Sequence, residues 1–160
     1  MKKTRIFAAV FAGNMLFFFF YAGVAWALTF FNITPYGRFV AEFFKGRTKE
    51  AAKEHMEANR ELFESMLKEA STFANLVLTP LAGFVMGVLI GVILSKNRRS
   101  AIVWSLLAAA PVSIIFLVKS GGGLSSFIYL AFFLVVTALG GLFGSSIVKK
   151  GPEEASDVNA

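Results

Sequence analysis

Ser71, Asn75, Thr79, Gly83, Gly87, Gly91 and Ser95 recur every fourth residue through the middle of the chain. On a helix of 3.6 residues per turn, such a step keeps all seven on one slowly drifting face. A stripe of hydroxyl, amide and bare backbone could do two kinds of chemistry. It could let a neighbouring helix approach to backbone contact, as small residues do in lipid. Alternatively, it could turn dipoles toward a solute, as uncharged pore linings do. Acid–base, nucleophilic and metal chemistry have far less to work with. His55 is the only histidine, and Glu54-His55 has no second histidine four residues on. There is no cysteine, the lone aspartate is Asp157 near the C-terminal end, and no P-loop or nucleophile elbow occurs. The sequence therefore predicts no catalytic residue, no cofactor, no metal site and no enzyme.

The composition explains why charge is so scarce. Of 160 residues, 56% are hydrophobic and only 16% charged, and 19 are phenylalanine. Soluble domains carry nearer a quarter charged residues, so the solvent implied here is a bilayer. Four uncharged stretches, Ile6–Phe31, Phe73–Leu94, Ala101–Val118 and Leu124–Val148, are long enough to cross it. A helix needs ~20 apolar residues to span a ~30 Å hydrocarbon layer. The predicted fold is all-α and integral to the membrane, with four transmembrane helices. No Asp, Glu, Lys, Arg or His lies inside a span, which argues against an ion- or proton-coupled carrier. Asn14 and Asn75 are the strongest polar groups at membrane depth and are expected to donate hydrogen bonds between helices.

The net charge of +6 does not point to nucleic acid, because the basic residues flank the spans. Lys2, Lys3, Arg5, Lys96, Arg98, Arg99, Lys149 and Lys150 lie on the side of the N-terminus; Arg38, Lys45, Arg60, Lys68 and Lys119 lie near span ends on the other. By the positive-inside rule both termini are cytoplasmic and the 32–72 loop is extracytoplasmic, in a membrane of the cytoplasmic type. The first span has the basic start of a signal peptide, and Ala25-Trp26-Ala27 fits a cleavage site. Its apolar run is too long for one, so 1–31 is expected to be an uncleaved signal anchor.

Residues 32–72 form the extramembrane part. Thr34 is a candidate N-cap with Pro35 at the first helical position. The short helix it opens places Phe39, Val40, Phe43 and Phe44 on one face, expected to lie flat in the interface until Gly46 ends it. Thr48 opens a second helix with no Gly or Pro before Pro80, which the sequence predicts to run unbroken into span two. The result is a long amphipathic, coiled-coil-like projection between helices 1 and 2. Lys53–Glu57, Arg60–Glu64 and Glu64–Lys68 are spaced to pair on its surface. Ala52, Met56, Asn59, Phe63, Met66 and Ala70 alternate steps of four and three, a heptad seam that continues to Phe73 and Val77. Such a seam needs cover: the 35–45 helix, a second copy, or another protein.

Pro80 removes the donor for Leu76 and is expected to kink span two, making it a candidate hinge; Pro111 should act similarly in span three. Small residues recur in the other spans too: Ala101, Ser105, Ala109 and Ser113; Thr137, Gly140, Gly141, Gly144 and Ser145; Ala9–Gly13 and Gly23–Ala27. Spans two to four (73–148) should therefore pack as one bundle, held by glycine-zipper-like contacts. The tail, 149–160, has no apolar pattern and is expected to be disordered. The functional expectation is a non-catalytic accessory or assembly subunit. It would contact the lipid bilayer, other membrane subunits or itself as an oligomer, with no nucleic-acid partner. The alternative is a homo-oligomeric channel or facilitator lined by the Ser71–Ser95 stripe.

Overall fold

The computed structural model describes residues 3–94 and 98–148. Expectations that fall on Lys2, Ser95, Lys96, Lys149, Lys150 and the 149–160 tail lie outside the described residues. Among the described residues every regular element is helical: α1 (Lys3–Phe30), α2 (Pro35–Phe43), α3 (Lys49–Ala58), α4 (Arg60–Phe73), a π turn (Ala74–Leu78), α5 (Thr79–Ile93), α6 (Arg98–Ser120) and α7 (Leu124–Ile147). Four helical segments are long and apolar enough to cross a membrane: Lys3–Phe30, Arg60–Ile93, Arg98–Ser120 and Leu124–Ile147.

α5 is the hub. It packs against each of the other three spans and most extensively against α7, while α6 rests on α7 and α5 and α1 chiefly on α5. Ala82, Met86, Ile90 and Leu94 of the hub meet Ala9 and Phe17 of α1, Ala108 and Ala109 of α6, and Phe133 of α7 in one core. The outer faces carry large apolar side chains, including Phe7, Phe11, Phe19 and Trp26 on α1. In lipid these outward groups cost nothing, because acyl chains are as apolar as they are.

The segment expected to lie outside the membrane, α2 to α4, forms a compact crown rather than a long projection. α3 ends at Asn59, whose backbone (φ −123°, ψ 44°) leaves the helical region before α4 begins. The expected single helix from Thr48 into span two is thus corrected: the continuous segment starts at Arg60. Asn59 makes the break by bonding backwards, its amide Nδ2 donating to the carbonyl of His55 at 3.0 Å. Asparagine competes with the helix ladder in this way more readily than other residues do.

The first loop follows its expected chemistry. Thr34 caps α2 by accepting from the Gly37 N–H at 3.0 Å, with Pro35 as the first helical residue. Thr48 caps α3 through the Ala51 N–H at 3.3 Å. Gly46 has φ +74°, the left-handed turn that lets the chain leave α2. The apolar face of α2 is used differently from the expectation of a helix flat on the bilayer. Phe39 and Phe43 are buried with Ala70 and packed against Met56, Phe63 and Met66, so that face is turned onto α4. At Pro80 the chain changes hydrogen-bond register. The Thr79 N–H reaches Ala74, five residues back, so the ladder has already shifted before the residue without a donor arrives. α6 continues through Pro111 to Ser120.

Candidate functional site

Two clusters of sequence-derived site residues can be followed into the structure. The first is the stripe of the second span. Gly83, Gly87 and Gly91 are buried, and all three face α7. A Cβ on Gly87 would stand 2.8 Å from the Gly141 nitrogen, and one on Gly91 would stand 2.7 Å from the Ser145 nitrogen. On Gly83 it would strike Phe133 and the Thr137 hydroxyl. The fit is reciprocal: Gly140 lies against the Phe84 backbone and Gly144 against the Val88 backbone. Two helices touching through backbone on both sides is the arrangement that small residues at every fourth position permit.

Span three joins from the other side. A Cβ on Gly141 would stand 2.5 Å from the Ser105 hydroxyl and 3.2 Å from the Ala101 carbonyl. Ala101, Ser105 and Ala109 are buried, as expected of that stripe. Three of the hydroxyls at these interfaces turn back onto their own helices. Thr137 donates to Phe133, Ser145 to Leu142 and Ser113 to Ala109, each within its own helix. Ser105 Oγ is buried with no hydrogen-bond partner. Asn14, expected to bridge helices, instead donates to the Val10 carbonyl of α1 at 3.0 Å.

Toward the crown the stripe opens slightly. Asn75 and Thr79 are half-buried and Ser71 is exposed, its hydroxyl donating to the Lys68 carbonyl. Asn75, Thr79, Val112, Phe116, Tyr129, Leu130 and Phe133 line a void of only about 10 Å³, near the lower limit for a single water. On the other side Tyr21 of α1 comes close to Thr79. This end of the stripe is therefore closed by aromatic side chains from α1, α6 and α7.

The second cluster is the heptad seam. Ala52 and Ala70 are buried, and Met56, Asn59, Phe63 and Met66 are half-buried, while most of their neighbours are exposed. The seam's partner is α2. Phe43 packs edge-on to Phe63 with ring centroids 5.1 Å apart, and Phe39 lies 5.6 Å from the same ring. The coiled-coil expectation is narrowed accordingly: the seam meets a nine-residue helix of its own chain.

His55 holds the crown from inside. Its Nε2 is 3.2 Å from Glu42 Oε1, its Nδ1 is 3.3 Å from the Asn59 amide, and its ring packs on Phe43 at 5.3 Å. It ties α2, α3 and the Asn59 break together. The surface pairs Lys53–Glu57 (3.8 Å) and Arg60–Glu64 (3.0 Å) form as spaced. Two further positions carried no signal in the sequence. Arg5 Nε donates to the Ile93 carbonyl at 2.7 Å, satisfying an open end of α5. Gly37 lies against the carbonyls of Leu28 and Phe31 and locks the α1–α2 elbow.

Among the described residues, no three His, Asp or Glu side chains gather in a way that would hold a metal ion. The chain matches no protein-family model, no curated protein and no solved structure.

Proposed function

We propose that this protein is a non-catalytic accessory or assembly subunit of a membrane complex, acting by contact through its crown. One observation carries the reading. A single helical segment, Arg60–Ile93, joins the crown to the centre of the bundle, and the glycines of its stripe, Gly83, Gly87 and Gly91, are occupied by α7. Apart from the apolar outer faces of the spans, the crown presents a charged outer surface, where Glu50, Glu54, Glu57 and Glu61 are exposed. A polar head built on the hub of a small bundle suits a docking element better than a solute pathway.

The same geometry bears on the channel alternative. A pore along Ser71–Ser95 needs the glycine carbonyls free to meet solute, but Gly87 and Gly91 already lie against α7 backbone. Conduction would require α7 to separate from α5, so the contact reading is the better supported. In the orientation that the basic residues favour, the crown is extracytoplasmic and both termini are cytoplasmic.

The test is the mass and composition of the complex carrying a C-terminally tagged copy, extracted in mild detergent. Stoichiometric foreign subunits, lost when the exposed crown glutamates are changed to lysine, are expected. A closed ring of identical copies with measurable conductance in planar bilayers would overturn the reading.

A further inference from the structure

The α1–α2 elbow carries a second, independent surface. α1 ends at Phe30, and the turn that follows leaves Phe31 and Ile33 bare, Ile33 being 83% exposed. With Trp26 and Phe30, whose rings pack edge-on at 4.7 Å, they form an apolar edge at the end of the first span. Gly37 pressed on the Leu28 and Phe31 carbonyls, and Thr34 capping α2, fix this edge relative to the next helix. Directly above it, Asn32, Arg38, Ala41, Glu42, Lys45 and Met66 line an open groove of about 470 Å³.

The charges of that groove are unevenly committed. Glu42 is engaged by His55, while among the described residues Arg38 has no carboxylate within ion-pair distance. Arg38 shares the groove with Asn32, two residues past the end of α1 and so next to the end of the first apolar span. The interfacial layer there is only about 5–7 Å deep, half the difference between the whole bilayer and its core. An arginine without an ion-pair partner beside an apolar edge at the end of a span suits a phosphodiester whose acyl chains lie against Phe31 and Ile33.

We infer that the Asn32–Arg38–Lys45 groove binds the headgroup of an anionic phospholipid in the crown-side leaflet. Arg38 is the phosphate ligand and Lys45 the second positive charge, and the Phe30–Ile33 edge seats the upper acyl chain. The apolar face of α2 plays no part, being buried on α4.

The chain contains two tryptophans, so a Trp104→Phe background leaves Trp26 as the sole reporter beside this edge. In mixed vesicles, phosphatidylglycerol with brominated chains should quench Trp26 more strongly than brominated phosphatidylcholine at equal mole fraction. Arg38→Gln should abolish that preference. Lys119→Gln, at the same side of the bundle but outside the groove, should leave it intact. Intact-protein mass spectrometry after mild extraction should show anionic lipid retained by the parent and lost in Arg38→Gln. Equal quenching by both lipids in the parent overturns the assignment, as does a preference that survives Arg38→Gln or that Lys119→Gln removes equally. Sodium phosphate at an ionic strength matched with chloride should not compete. If it does, the groove is a site for free phosphate and the lipid assignment falls.

Discussion

The Ser105 hydroxyl is buried beside Gly141 without a hydrogen-bond partner. A buried polar group left unsatisfied costs about 1–3 kcal/mol, whereas a methyl of similar size costs nothing. Ser105→Ala is therefore expected to raise stability by up to about 1–2 kcal/mol, read as a shifted midpoint in denaturant titration of the detergent-solubilised protein. The α5 glycines packed on α7 should behave oppositely. Gly87→Leu drives a side chain into the α7 backbone, an overpacking cost of at least about 1–3 kcal/mol, and should lower the same midpoint. Gly23 serves as the control, because a Cβ there meets nothing within 4 Å. Gly23→Leu should leave the midpoint almost unmoved. Should Gly23→Leu prove as damaging as Gly87→Leu, the effect lies in glycine itself and not in the α5–α7 contact.

At the scale of elements, the crown depends on α2 being clamped to α4 by Phe43, one of the largest fully buried side chains. Phe43→Ala should cost about 3–5 kcal/mol of local stability, seen as faster proteolysis in the 44–59 segment while the spans stay protected. The Glu42–His55 contact is partly exposed; a double-mutant cycle on it should return less than about 1 kcal/mol. The boundaries of these helices were legible where local chemistry sets them. Thr34 with Pro35, Thr48, and Gly46 each act through a side-chain oxygen, a fixed φ or a positive φ, all of which travel with the residue type. Asn59 was legible only in part. It stands out as the polar member of an apolar seam, and that pattern fits either a coiled-coil register or a helix break. The choice depends on His55 and Phe43 being close by, which no spacing within the seam reveals. For the stripe, the period of four announced a close helix contact, but its partner could not be read because spans three and four carry stripes as well. Arg5 and Gly37 were silent because each acts on carbonyls of a helix end that only the assembled fold brings near.

For the molecule as a whole, α5 is central and α1 is peripheral. Backbone amides of Gly83–Ile93 should be the last to exchange with deuterium in bicelles, and those of α1's outer turns and α3 among the first. A uniform exchange rate across the four spans would contradict a hub arrangement. The order in which the chain is made adds something that the finished contacts conceal. α1, the crown and α5 are all synthesised before α6 begins, and Arg5 can reach Ile93 as soon as the second span is in place. The first half of the protein can thus close on itself early. The face of α5 bearing Gly83, Gly87 and Gly91 cannot, since its partner α7 is the last of the four spans to leave the ribosome. During that interval the bundle's tightest surface is bare to lipid and open to any other helix with small residues in register. The period between making the second span and the fourth is therefore when the protein is most exposed to wrong pairing. The segment most able to cut that risk is the brief Ser120–Gly123 turn, which delivers α7 immediately after α6.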